Sequence, residues 1–206
     1  MTDFKKLLEQ HGNLFKEWLV TPDQQEQLVI WLEQIWEENQ NLNLFSRKIT
    51  PQILVEEHLL DCLVGLPYLP ECQTVADLGT GGGFPAIPLA ICRPRIRFVL
   101  FEKSVLKNRY LGRVDLPNIE TAGPLEPKSL EAGIDLVIAR AFKPIRVILE
   151  MTRTYHDRGG CYLLYKGRRT RVEEEIRDAR LKPDRVSIQA LATFGAVEER
   201  HLVTIR

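Results

Sequence analysis

Long apolar runs are missing from these 206 residues. No stretch approaches the roughly 18 residues a membrane-spanning helix needs, so no membrane partner is expected. The start, Met1-Thr2-Asp3-Phe4-Lys5-Lys6, leads into an amphipathic pattern instead of a secretory leader. A cytoplasmic location is the expectation. Cysteine is sparse: Cys62, Cys72, Cys92 and Cys161 lie far apart with no Cys-x-x-Cys pair. Buried free thiols are expected, not disulfides or a metal site. Net charge is absent too, with 28 Lys and Arg against 28 Asp and Glu, which argues against a generic polyanion binder. There is no internal repeat.

The charge that is present is uneven. Residues 1–43 hold eight acids and three bases, whereas 91–113 hold seven bases (Arg93, Arg95, Arg97, Lys103, Lys107, Arg109, Arg113) against Glu102 alone. Such asymmetry allows a local basic surface for nucleic acid, and equally a set of solvated loops and helix faces.

Up to about residue 70 the signals are helical. Thr2 can cap a short helix that stops near Gly12, and Thr21-Pro22-Asp23-Gln24 has the form of a capping box with proline at the first helical position. Leu28, Trp31, Leu32, Ile35 and Trp36 then recur at the spacing of one buried helix face. Another helix should begin at Thr50-Pro51 and run towards Gly65. From Thr74 onward short β-rich runs alternate with helical ones: 74–78, 97–101, 119–122, 134–139, 161–165, 186–191 and 202–205. This alternation predicts a mostly parallel, seven-stranded sheet covered on both faces, with an antiparallel hairpin at one edge. The expected whole is an α/β three-layer sandwich over 71–206, capped by a helical extension over 1–70.

The first strand runs into Asp77-x-Gly79-x-Gly81-x-Gly83, with a helix starting near Pro85. Glycines at the carboxyl end of a strand in an open α/β sheet allow a tight turn and close ligand approach. Three details separate the candidate cofactors. The dinucleotide pattern G-x-G-x-x-G fails at Phe84, and no Gly-Lys-Ser/Thr follows to make a P-loop. Pro85 and Pro88 also remove two N–H groups from the helix turn that would hold a pyrophosphate. A cationic sulfonium ligand with an amino-acid tail needs no such anion site, so S-adenosylmethionine is the expected cofactor. Asp77, Gly79, Gly81 and Phe84 are the candidate residues around it. Glu102, closing the second strand, is placed to accept hydrogen bonds from ribose hydroxyls.

Further strings point to a family. Asn41-Leu42-Asn43-Leu44, His58-Leu59-Leu60-Asp61, the run from Val75 through Gly79-Thr80-Gly81-Gly82-Gly83-Phe84-Pro85-Ala86-Ile87-Pro88 to Ala90, Arg140-Ala141-Phe142, Lys166-Gly167 and Glu199-Arg200-His201 occur in that order. Together they resemble the RsmG family, also called glucose-inhibited division protein B. The resemblance implies the class I S-adenosylmethionine-dependent methyltransferase fold and a cytoplasmic 16S rRNA (guanine-N7)-methyltransferase. Its substrate would be a guanine (position 527) in the 530 loop of 16S rRNA, free or in the small ribosomal subunit. The resemblance also implies that Gly79 and Phe84 line the methionine end of the cofactor, that Glu102 holds its ribose, that Leu125 and Glu126 sit beside its adenine, and that Arg140 lies between cofactor and substrate. The chain departs from the family at Ala86 (usually glycine), Cys62 (serine), Phe45 (threonine) and Pro124 (arginine).

Guanine N7 carries a free lone pair and no proton, so methyl transfer to it needs no general base, and binding residues become the catalytic ones. Arg140 can donate to guanine O6 or to a phosphate, and Lys166 can neutralise a phosphate; these two are the expected catalytic residues. Lys107 and Arg109 are assigned, with Lys166, to the RNA backbone. Phe84 and Phe142 fit either stacking on an extracted base or plain packing. For His58, a core histidine bonded to a carbonyl is favoured over a place in the site. The chain is expected to act as a monomer without metal. Rival readings are a small-molecule or protein methyltransferase, a non-catalytic cofactor-binding interaction module, and a nicotinamide dehydrogenase, which the two prolines disfavour.

Overall fold

A computed structural model describes residues 2–126, 129–130 and 133–206. Its centre is a seven-stranded sheet of order β3-β2-β1-β4-β5-β7-β6. The strands are β1 (Thr74–Leu78), β2 (Arg97–Phe101), β3 (Ile119–Ala122), β4 (Leu136–Arg140), β5 (Cys161–Lys166), β6 (Val186–Ala190) and β7 (His201–Ile205). The first five pair in parallel, and β7 inserts antiparallel between β5 and β6. Every residue of Thr74–Leu78 is buried, as expected of a central parallel strand covered on both faces. The edge strand Val186–Ala190 is instead partly exposed throughout.

Two apolar cores lie against the sheet. One holds Leu28, Trp31, Leu32 and Ile35 together with Val75, Ile87 and Leu100. The other packs Ile145, Ile148, Tyr155 and Val172 against Ala76, Val137 and Val203. The expected three-layer sandwich with its edge hairpin is thus the observed one, and the helical segment before residue 70 shares a core with the sheet.

Local signals were reliable where a side chain caps its own helix. Thr21 accepts from the Gln24 N–H while Gln24 accepts from the Thr21 N–H, so the helix Pro22–Leu42 starts as its sequence predicts. Beyond one-residue shifts at the ends of β4, β5 and β6 and the start of β7, three boundaries differ. The first helix, Phe4–Glu9, is capped by Asp3, not Thr2, because the Asp3 carboxylate accepts from the Lys6 N–H at 3.0 Å. Gly12 opens a second short helix, Gly12–Glu17, instead of ending the first. Strand β4 begins at Leu136, two residues later than expected. The Asp135 carboxylate is occupied in accepting the Gln73 and Thr74 N–H groups at 2.8 and 2.9 Å.

Helical backbone covers 51–63 as expected, but its middle, Leu54–Leu60, is π-helical. A π turn inserts an extra residue and shifts the side chains after it, an arrangement often found at functional sites. Here it carries Glu57, His58 and Asp61 toward the carboxyl ends of the strands. All four cysteines are free, with Cys62 and Cys92 buried.

Candidate functional site: a cavity at the switch point of the sheet

Strand order reverses between β1 and β4, and an open α/β sheet binds ligands outside the carboxyl ends of its strands at that point. A cavity of about 720 Å³ lies there, lined by Gly79 to Gly82, Phe84, Glu102, Lys107, Leu125, Arg140 and Phe142 among others. Its size falls in the ordinary range for a small-molecule or cofactor pocket.

The glycine turn forms one wall. Gly79, Gly81 and Gly83 have φ of 71°, 60° and 101°, a region costly for residues with a Cβ. A Cβ built at Gly79 would overlap the Phe142 ring, whereas one at Gly81 would meet only the Gly79 carbonyl oxygen, at an ordinary contact distance of 3.9 Å. The two glycines therefore serve different ends: the first admits Phe142, and the second leaves room in the cavity.

Glu102, nearly buried at the end of β2, accepts from the Gly81 N–H at 3.0 Å and from the Ser104 N–H at 2.8 Å. Its carboxylate thereby ties the glycine turn to the next helix while remaining on the cavity wall. Each oxygen accepts one such bond and has a lone pair left for a diol.

The Asp77 carboxyl is placed differently from the expectation. It is fully buried and does not line the cavity. Neither oxygen has a hydrogen bond of ordinary geometry. Burial pushes its pKa up to about 7, and the Thr80 hydroxyl and Ala86 N–H only partly oppose the shift. Asp77 thus supports the turn from behind. A carboxyl with a folded pKa near 7, above the unfolded value near 4, adds stability below the unfolded pKa that is lost as pH rises through 7. Asp77→Asn should therefore gain stability relative to the parent between pH 5 and pH 8. Urea unfolding at both pH values checks this, and equal pH dependence of the two proteins would contradict it.

Arg140 ends β4 with only 12% of its side chain exposed. Its Nε donates to Asp61 at 2.6 Å, its Nη2 donates to the Glu57 carbonyl at 2.7 Å, and its guanidinium lies 5.9 Å from the Phe84 ring centroid. Arg200 binds the other oxygen of Asp61. One buried carboxylate therefore organises two guanidinium groups. After Arg140, Ala141 takes φ of 51°. Such a conformation costs a non-glycine residue about 1–2 kcal/mol. The turn it makes lets Arg140 point back to Asp61 while Phe142 folds onto Gly79.

His58 lies on the cavity wall, contrary to the expectation of a carbonyl-bonded core histidine. Its ring packs between Phe45 and Phe84, and it makes no hydrogen bond among the described residues. Burial, with Arg140 next, lowers its pKa to about 4, so the imidazole is neutral near pH 7. Its presence in the site follows from the π turn, which helical periodicity does not reveal.

The remaining expected residues divide. Gly79, Gly81, Phe84, Leu125 and Lys107 line the cavity together with Arg140 and Glu102, and Pro124 lies beside Leu125. Glu126 does not; its N–H donates to the Ser129 hydroxyl. Arg109 is exposed on the helix Val105–Leu111, off the cavity wall. Ala86 is buried in the core beneath the turn, so its methyl does not intrude on the cavity. Lys166 is also off the wall, because its Nζ donates to Glu175 and to the Lys143 carbonyl, both at 2.8 Å. The helix Arg169–Asp178 folds back to supply Glu175, which also accepts the Ile145 N–H. Lys103 and Lys143, which the motif strings do not single out, are the further cations lining the cavity.

These residues fit S-adenosylmethionine: a glycine turn open to close approach, a carboxylate with free lone pairs, and no anion-binding helix turn. The comparisons agree. A family model described as GidB, rRNA small subunit methyltransferase G, matches residues 24–203. Ribosomal RNA small subunit methyltransferase G 1 of Bdellovibrio bacteriovorus is 43% identical over 184 residues, covering 87% of this chain and 89% of that one. Ribosomal RNA small subunit methyltransferase G of Brachyspira hyodysenteriae is 26% identical over 207 residues, covering 98% and 99%. Among solved structures, Aeropyrum pernix fibrillarin with bound S-adenosyl-L-methionine aligns with a TM-score of 0.52 at 19% identity, covering 72% of this chain and 74% of that one. A precorrin-6y C5,15-methyltransferase from Geobacter metallireducens aligns at 0.51 and 16% identity, covering 78% and 91%. The structural likenesses establish the class I methyltransferase fold. The family match and the sequence relatives go further: this chain belongs to the GidB family, rRNA small subunit methyltransferase G.

Proposed function

We propose that the protein binds S-adenosylmethionine in the switch-point cavity and methylates N7 of a guanine in the 530 loop of 16S rRNA. The observation that carries this reading is the pairing, on one cavity wall, of the open glycine turn and Glu102 with the buried Arg140. When bound, the cofactor supplies an electrophilic methyl group on a cationic sulfur.

The chain's residues then have positional work. Glu102 offers lone pairs to vicinal hydroxyls, Gly79 and Gly81 let the ligand approach the backbone, and Leu125 with Pro124 covers an apolar face. Phe84, His58 and Phe142 exclude water where the acceptor enters. Arg140, fixed by Asp61 and the Glu57 carbonyl, presents a guanidinium to the acceptor edge of a guanine or to a phosphate. The acceptor nitrogen carries no proton, so alignment replaces general-base catalysis. In this reading residues 1–70 form a helical cap on the catalytic domain 71–206, and the protein works in the cytoplasm as a monomer without metal. Among the described residues no helix is long and apolar enough to cross a membrane.

Transfer of labelled methyl to isolated small ribosomal subunits, followed by mass spectrometry of the rRNA nucleosides, tests the reading. Label on N7-methylguanosine is expected. Glu102→Gln should weaken cofactor binding by about 10- to 100-fold, as expected for losing hydrogen bonds to a charged group. Label on a metabolite or protein, and never on rRNA, would contradict the proposal.

A further inference from the structure

We propose that a second, smaller cleft beside the cavity seats a phosphodiester of the RNA substrate, with Lys143 and Arg200 as its cationic partners. The proposal rests on the RNA reading above and extends it to a part of the surface outside the cofactor cavity.

The cleft, of about 290 Å³, is lined by Arg140, Lys143, Lys166 and Arg200, with Glu175 as its single acidic lining residue. Arg140, Ala141, Phe142 and Lys143 line both this cleft and the larger cavity, so the two are neighbours across the Phe142 turn. A nucleotide whose base enters the cavity therefore has its backbone within reach of the cleft.

The ion pairs decide which cations are available. Glu175 neutralises Lys166, and both side chains are nearly buried. Asp61, a single negative charge, serves both Arg140 and Arg200. Two of the four positive charges are thus left uncompensated. Lys143 is exposed, and its ammonium has no ion-pair partner among the described residues. Arg200 is held at Nε by Asp61, and its side chain is 20% exposed. Its two terminal nitrogens have no hydrogen-bond partner among the described residues. A guanidinium fixed at one nitrogen and open at the others is organised to grip an anion, because little rotamer freedom is lost on binding. An exposed lysine beside it adds a point charge. A phosphodiester matches this donor set: one negative charge, acceptor oxygens only, and a fixed distance from the base it carries. Lys166, the phosphate partner expected from sequence, is already neutralised and instead supports the cleft floor.

The test is binding of a fluorescein-labelled RNA hairpin carrying the 530-loop sequence, measured by anisotropy between about 50 and 200 mM salt, alongside steady-state methylation of small subunits. For Lys143→Gln the slope of log K against log salt should fall by about 1. KM for the RNA should rise severalfold, by a larger factor than any loss of cofactor affinity measured by calorimetry, since Lys143 also borders the larger cavity. Lys143→Arg should restore both readouts. Arg200→Gln should lower the slope similarly, and its fold is checked by urea unfolding. An unaltered slope and KM in Lys143→Gln, with the parent active on subunits, would overturn the cleft and leave the methyltransferase reading standing. A parent that binds the hairpin with the predicted slope change yet methylates no rRNA would support the cleft and sink the activity. If the parent neither binds the hairpin nor methylates small subunits, both fall.

Discussion

Replacing Asp61 by alanine should destabilise the protein by about 3–5 kcal/mol, the range for removing one partner of a buried ion pair. Asp61 is 3% exposed and accepts from both Arg140 and Arg200. Its loss leaves two guanidinium groups, 12% and 20% exposed, without their shared counter-charge. Asp61→Asn retains one acceptor oxygen and should cost less. In both variants Arg140 loses its anchor at Nε, so methyl transfer should fall further than cofactor affinity. Urea unfolding gives the stability change, and paired calorimetry and rate measurements give the other two. A stability loss below about 1 kcal/mol for the alanine variant would mean that this triad is effectively solvent-screened.

The second large effect separates two glycines of one turn. Gly79→Ala places a methyl group inside the Phe142 ring and strains a φ of 71°. About 1–2 kcal/mol of backbone strain adds to the cost of expelling the ring, so both stability and cofactor binding should suffer. Gly81→Ala strains a φ of 60° but makes only an ordinary contact with the Gly79 carbonyl oxygen, and Gly81 lines the cavity. That variant should lose only the backbone term in stability, while its methyl group occupies room the cofactor needs. Calorimetry should therefore show binding lost in both variants, with urea unfolding showing the larger loss for Gly79→Ala. Full cofactor affinity in Gly81→Ala would mean that the ligand does not approach this turn.

The physical division between these residues explains what a linear reading could and could not reach. The glycine turn was legible because its constraint is local: a strand end, three backbone positions of positive φ and the two prolines Pro85 and Pro88 all fall within a dozen residues. The same holds for the capping box at Thr21 and for β1, β2 and β3, whose limits match the short β-rich runs of the sequence. Asp77 was legible as part of the motif but not in its role. The turn hides its carboxyl behind the glycines, and burial is a property of the packed chain.

Charge pairing was the least accessible feature, because it depends on which distant segments meet. Asp61 and Arg200 are 139 residues apart, and Lys166 is taken by a glutamate that comes close only when the helix Arg169–Asp178 folds back onto the end of β5. His58 reached the cavity through a π turn that no spacing rule distinguishes from an α-helix. Periodicity, turn chemistry and the ordered motif strings determined the sheet, its covering layers, the cofactor class and the family. Tertiary structure decided which cations are free to meet a substrate. Hydrogen-bonded turns and apolar periodicity are encoded within a few residues, whereas electrostatic availability is settled only when burial and the nearest counter-charge are known.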